Sequence, residues 1–141
     1  MVLIMLCILI ISSIYDIVNK HIIPLMIPAI GITIRIIELT VYEPLKMPEM
    51  CMMGVLIFII LLFISYFGNL GGADCLIGGM CGLYIGEPAL LGMVFAFALS
   101  IPYTLQMKIN DNEKEYAFIP YIFIGMAISL IISMKKGIII W

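Results

Sequence analysis

Six apolar runs, all but the fourth close to the length of a membrane-crossing helix and separated by charge, proline or glycine, make up most of this chain. A helix needs roughly 20 apolar residues to cross a bilayer, and about 17 suffice, so the interruptions mark the spans. They run from about Val2 to Val18, Ile22 to Leu39, Met50 to Phe67, Asp74 to Gly86, Ala89 to Gln106 and Ala117 to Met134. The predicted fold class is an all-α membrane protein with six transmembrane helices, forming a single transmembrane domain over residues 1–141. At 65% hydrophobic and 11% charged residues, with a mean hydropathy of +1.26, the sequence has no room for a separate soluble domain. The first run lacks a basic start and an A-x-A cleavage pattern, so it is read as a retained span rather than a signal peptide. The expected environment is the lipid bilayer. Nucleic acid is excluded, since the net charge is -2 and no stripe of Lys or Arg exists to neutralise phosphates.

The interruptions are informative in themselves. Tyr42 to Glu49, with Pro44 and Pro48, is expected to be a short polar loop; Glu87-Pro88 is a turn, and Lys108 to Glu115 is a water-exposed loop. Pro120 fits the first turn of the sixth helix, where its missing N–H would have had no internal partner. Arg35, the chain's single arginine, stands three residues before Glu38 on one helical face, and pairing is preferred over a substrate-contacting role. Cys7, Cys51, Cys75 and Cys81 form no C-x-x-C pair and are read as packing residues.

The fourth run is the anomaly. Gly68-Asn69-Leu70-Gly71-Gly72-Ala73-Asp74 places a carboxylate behind a glycine-rich kink, and the run after it is too short to cross alone. It must extend back through the glycines or be a half-helix buried in protein, where irregular backbone is tolerated. Asp74, Gly78, Gly82 and Gly86 follow at steps of four along one helical face, a spacing that lets a second helix approach closely and supply the other half of a site. An ionisable group at such depth is a functional-site hypothesis by default.

Counting spans puts Asp16, at the exit of the first, Asp74, at the entry of the fourth, and Phe118-Ile119-Pro120, at the entry of the sixth, on one membrane face. Two carboxylates held about 3 Å apart share a proton. One can then deprotonate a water while the other hydrogen-bonds a peptide carbonyl, which is aspartic-protease chemistry with no metal and no covalent intermediate. Gly71 and Gly72 would let an extended substrate approach the attacking water. Taken singly, Asp16 reads as an interfacial residue, and Asp74 reads equally as a cap of its own helix. No cofactor is implied, and no His or carboxylate cluster at ligand spacing suggests a metal.

Tyr15-Asp16 followed by Ile22-Ile23-Pro24, then Gly71-Gly72-Ala73-Asp74, then Phe118-Ile119-Pro120-Tyr121 with Gly125, resembles the type IV prepilin peptidases, most closely the short archaeal prepilin and preflagellin peptidases. The resemblance covers nearly the whole chain in order. It implies an intramembrane aspartic endopeptidase that cuts the basic leader from pilin-like or archaellin-like precursors at the cytoplasmic face of the cell membrane. Asp16 and Asp74 would be the catalytic pair, with Gly71, Gly72, Phe118 and Pro120 shaping the substrate groove. Ala73 stands where many relatives carry the second glycine of their GxGD element. The cysteine-rich region of the larger bacterial, methylating enzymes has no counterpart here, so proteolysis without methyl transfer is expected.

Two readings from other classes remain open. A small cation- or proton-coupled transporter would use the same two aspartates at broken helices, but it expects carboxylates near the midplane and an internal repeat. A scaffold for filament assembly would tolerate loss of either aspartate. Charge does not orient the chain: Lys20, Lys108 and Lys114 fall on the side of the motifs, and Lys46, Lys135 and Lys136 on the other.

Overall fold

The polar interruptions become helix ends in a computed structural model, which describes residues 2–19, 25–67, 71–109 and 118–135. Among the described residues there are six α-helices and no strand: α1 (Val2–Asn19), α2 (Met26–Tyr42), α3 (Met47–Phe67), α4 (Gly72–Ile85), α5 (Pro88–Ile109) and α6 (Ile119–Lys135). The all-helical expectation and the helix order agree with this architecture. Several boundaries move, each for a local reason. Pro48 lies in the first turn of α3, where its missing N–H costs nothing, so the expected loop from Tyr42 shrinks to a turn in which the Lys46 N–H donates to the Glu43 carbonyl at 3.0 Å. Pro88 opens α5 in the same way, and α5 continues past Pro102 to Ile109, which draws Lys108 into the helix. The stretch 20–24, with His21 and Ile22-Ile23-Pro24, and the residues 68–70 and 110–117 lie outside the described residues.

The fourth segment resolves as the buried alternative. Gly71 is extended (φ -70°, ψ 145°) and caps a 14-residue helix, so the chain breaks before α4 rather than kinking within it. At about 1.5 Å per residue such a helix spans about 21 Å, less than the roughly 30 Å of a bilayer core. It survives because it is enclosed: α4 packs against all five other helices, and every residue from Ile77 to Ile85 is buried. The glycines make that enclosure possible. A Cβ on Gly82 would stand 2.8 Å from the Gly54 Cα and 2.9 Å from the Met53 carbonyl oxygen, so α3 and α4 meet backbone to backbone. A second contact of this kind joins α5 and α6, where a Cβ on Gly125 would reach within 2.7 Å of the Ala96 nitrogen and the Ser129 hydroxyl donates to the Pro88 carbonyl.

The small-residue row therefore faces α3, which carries no carboxylate in the region it covers; the expected second half of the site comes from elsewhere. On another side of α4, α2 runs parallel to it. Tyr84 Oη donates to the Gly31 carbonyl at 3.0 Å, and Arg35 Nε donates to the Leu83 carbonyl at 3.1 Å. Arg35 also pairs with Glu38 at 2.8 Å, as its spacing predicts, and its guanidinium lies 5.5 Å from the centre of the Tyr84 ring. It thus satisfies a carbonyl of the last turn of α4 and complements the negative end of that helix.

The bundle is apolar inside, around Met5, Leu9, Ile57, Ile77, Met80 and Ile122, and apolar on much of its outer surface as well. Arg35, Asp74, Ser12, Ser100, Ser129 and Ser133 are buried, while Leu3, Ile11, Ile14, Val55, Ile59, Phe63 and Val94 point outward. Among the described residues one helix, over Met47–Tyr66, is long and apolar enough to cross a membrane, and Val2–Val18, Gly72–Ile85, Pro88–Pro102 and Ile119–Lys135 are shorter apolar helices.

Candidate active site

The two aspartates come from helices that run in opposite directions and meet at one end of the bundle. Asp16 sits in the last turn of α1, half-buried, and its Oδ2 accepts the Ile119 N–H at 3.2 Å. The start of α6 makes that bond available. Pro120 has no N–H, and the Tyr121 and Ile122 N–H groups turn back to the Phe118 carbonyl at 3.0 and 3.2 Å. The Ile119 N–H points outward with the positive end of the α6 dipole behind it, which suits a carboxylate.

Asp74 is the third residue of α4 and is only 7% exposed. Its Oδ2 accepts the Gly71 N–H at 3.2 Å, while its own N–H donates to the Gly71 carbonyl at 3.1 Å. It therefore reaches back from the third position of the helix to the amide of Gly71, the residue that stands at the N-cap, rather than holding the N-cap itself as the plainer sequence reading had it. That does not exhaust its surroundings, because the Asp16 carboxylate lies within Coulombic range. Each acid is thus tethered by the amide of a helix start, with Asp16 near enough to bear on Asp74.

No family model, characterised protein or solved structure matches this chain.

Gly71 and Gly72 are exposed beside the carboxylates. Among the described residues a Cβ on Gly72 would meet nothing within 4 Å, and one on Gly71 would make ordinary contact with the Asp74 carboxylate at 3.5 Å. Neither glycine is demanded by its neighbours, and Gly71 has a backbone angle any residue adopts. What they leave is open space on the approach to Asp74. Phe118 is placed differently from the groove position the resemblance implies: its side chain is 2% exposed and its ring lies 5.2 Å from that of Phe97. It anchors α6 on α5 and so fixes the amide that holds Asp16. Pro120 is half-buried at the same helix start.

Arg35 is not brought to this site; it belongs to the opposite end of α4. One residue that the sequence does not single out belongs here: Phe97 holds the Phe118 ring, and nothing in the sequence marks it among the other aromatics.

Proposed function

We propose that this chain is a six-span aspartic endopeptidase of the cytoplasmic membrane that removes the basic leader from type IV pilin-like or archaellin-like precursors, with its active site on the cytoplasmic side. The observation that carries the reading is the convergence of Asp16 and Asp74, each tethered by a helix-start amide, at one end of the bundle beside the open space at Gly72. The outward-facing Ile, Leu and Val side chains support a lipid surround, which the shorter helices share as members of one bundle. A leader of this class is cut where its polar segment meets the apolar helix, and a dyad at the end of the helices suits such a bond.

In this mechanism the ionised member of the dyad takes a proton from a water lying between the carboxylates. The resulting hydroxide attacks the scissile carbonyl carbon, and the protonated member donates to the carbonyl oxygen. A tetrahedral diol forms. Its collapse breaks the C–N bond as the newly protonated carboxyl gives its proton to the leaving amine and the other, now ionised, carboxylate takes a proton from a diol hydroxyl, so the dyad returns with one shared proton. The α6 amide holds Asp16 and the Gly71 amide holds Asp74 through both steps, so little reorganisation is required. The transporter alternative expects carboxylates at mid-depth; both acids here lie at helix ends.

The test is co-expression with a pilin-like precursor, following its mobility on a gel. Wild type is expected to shorten the precursor, whereas Asp16→Asn and Asp74→Asn leave it intact. Cleavage by either single variant at the wild-type rate would remove the two-carboxylate mechanism.

A further inference from the structure

Cys75 follows Asp74 on α4 and is buried, and its thiol stands between two helices. The Sγ–H donates to the Gly71 carbonyl at 3.7 Å, within the longer reach of sulfur, and the Ser65 side chain hydrogen-bonds the sulfur from the last turn of α3. The same Gly71 carbonyl accepts the Asp74 N–H at 3.1 Å, and the Gly71 N–H is the donor that holds Asp74 Oδ2 at 3.2 Å. One glycine thus carries the thiol on one polar group and the carboxylate on the other. It has no side chain with which to hold itself. Gly71 and its neighbour Gly72 are exposed, and glycine allows the backbone its widest freedom. The three bonds at Gly71 come from the first turn of α4 itself, whereas the contact between Cys75 and Ser65 ties that turn to a second helix. Packing explains a buried cysteine; it does not call for a serine side chain bonded to the sulfur.

We propose that Cys75 is a positioning residue for Asp74: its thiol links Ser65 at the end of α3 to the Gly71 carbonyl, and so holds the glycine break in the geometry that aims the Gly71 N–H at the carboxylate. A thiol suits the task. Its long bonds let one atom reach a carbonyl on its own helix and a side chain on the next, and as a weak donor and acceptor it is cheap to bury. Serine in its place keeps the bond to the carbonyl of the preceding turn, but its shorter C–O bond draws the atom away from Ser65. Helices α3 and α4 already meet backbone to backbone at Gly54 and Gly82, and the thiol fixes the other end of the same pair. The catalytic consequence rests on the peptidase reading; the contact itself does not.

The experiment compares Ser65→Ala, Cys75→Ala, Cys75→Ser and the variant carrying both alanines with wild type in detergent. Cys75→Ala lowers kcat on a pilin-like precursor about fivefold with KM within about twofold, and Ser65→Ala lowers it about threefold. The double variant is no slower than Cys75→Ala, because the serine acts through the thiol. Cys75→Ser matches Ser65→Ala. Two infrared bands need no substrate: the S–H stretch, isolated by difference against Cys75→Ala, shifts in Ser65→Ala, and the Asp74 carboxyl band, isolated by difference against Asp74→Asn, shifts in Cys75→Ala. A lowered melting temperature with wild-type kcat per folded molecule in Cys75→Ala would make the cysteine a packing residue and overturn the proposal. Costs that multiply in the double variant, or an S–H band unmoved by Ser65→Ala, overturn it as well. A wild-type protein that cuts no precursor would remove the peptidase reading, and the two bands would still decide the link.

Discussion

Asp74 holds the start of α4 and is proposed to be one of the two catalytic acids, and a pair of substitutions can separate these tasks. As a cap it accepts the Gly71 N–H, a bond that an asparagine oxygen can still accept and alanine cannot. Asp74→Ala is therefore expected to cost about 1 kcal/mol of stability in addition to all cleavage. Asp74→Asn is expected to lose cleavage alone. Thermal unfolding in detergent read beside the gel assay distinguishes them, and an Asp74→Asn protein as unstable as the alanine variant would mean the cap depends on charge. Gly72 offers a second residue-scale prediction. Because a Cβ there meets nothing within 4 Å among the described residues, Gly72→Leu should fold normally and raise the KM for a precursor several-fold, as expected if substrate occupies that space. Unchanged KM would move the substrate path elsewhere. Both aspartates were legible in the sequence because a charge in hydrocarbon stands out without any structure. Phe97 was not, since one aromatic among many acquires meaning only from what it faces.

Element by element, glycine decides how close the helices come, and the glycines differ in what they oppose. Beside Gly82 lie backbone atoms of Met53 and Gly54, which have nowhere to go. Beside Gly78 lie the ends of Leu61 and Met93, flexible side chains that can turn aside. Gly82→Ala is thus expected to destabilise by about 3 kcal/mol, at the upper end of overpacking costs, and Gly78→Ala by no more than about 1 kcal/mol. Equal melting temperatures for the two would mean that α3 and α4 do not meet at Gly54. The cap on the far end of α4 gives the complementary case. Arg35→Ala strands Glu38 and frees the Leu83 carbonyl, so a loss of about 3–5 kcal/mol is expected while kcat per folded molecule stays at the wild-type value. A selective loss of kcat would return Arg35 to a substrate role. The four-residue glycine spacing announced a close helix neighbour, yet not which one. Spacing gives the direction of a face on its own helix, and the neighbour is chosen by packing across the bundle.

At the scale of the molecule, six helices of alternating direction gather Asp16, Asp74 and the start of α6 at one end and the turn between α2 and α3 at the other. Leu45, 94% exposed in that turn, is a marker for the far end. In a version lacking Cys7, Cys51, Cys75 and Cys81, a membrane-impermeant thiol reagent is expected to label Leu45→Cys from outside intact cells and Gly71→Cys only after lysis. Labelling of both from one side would break the six-span proposal. Hydrophobic runs and their interruptions suffice to set the number, order and approximate ends of the helices, because each run must shield its own backbone along one continuous helix. They also single out the two acids. Only the tertiary structure decided that α4 begins afresh after Gly71 and lies enclosed by the other helices, that Arg35 closes its far end, and that an amide of α6 reaches Asp16. Those outcomes depend on which surfaces meet between segments distant in the chain, and a local pattern carries no information about its opposing surface.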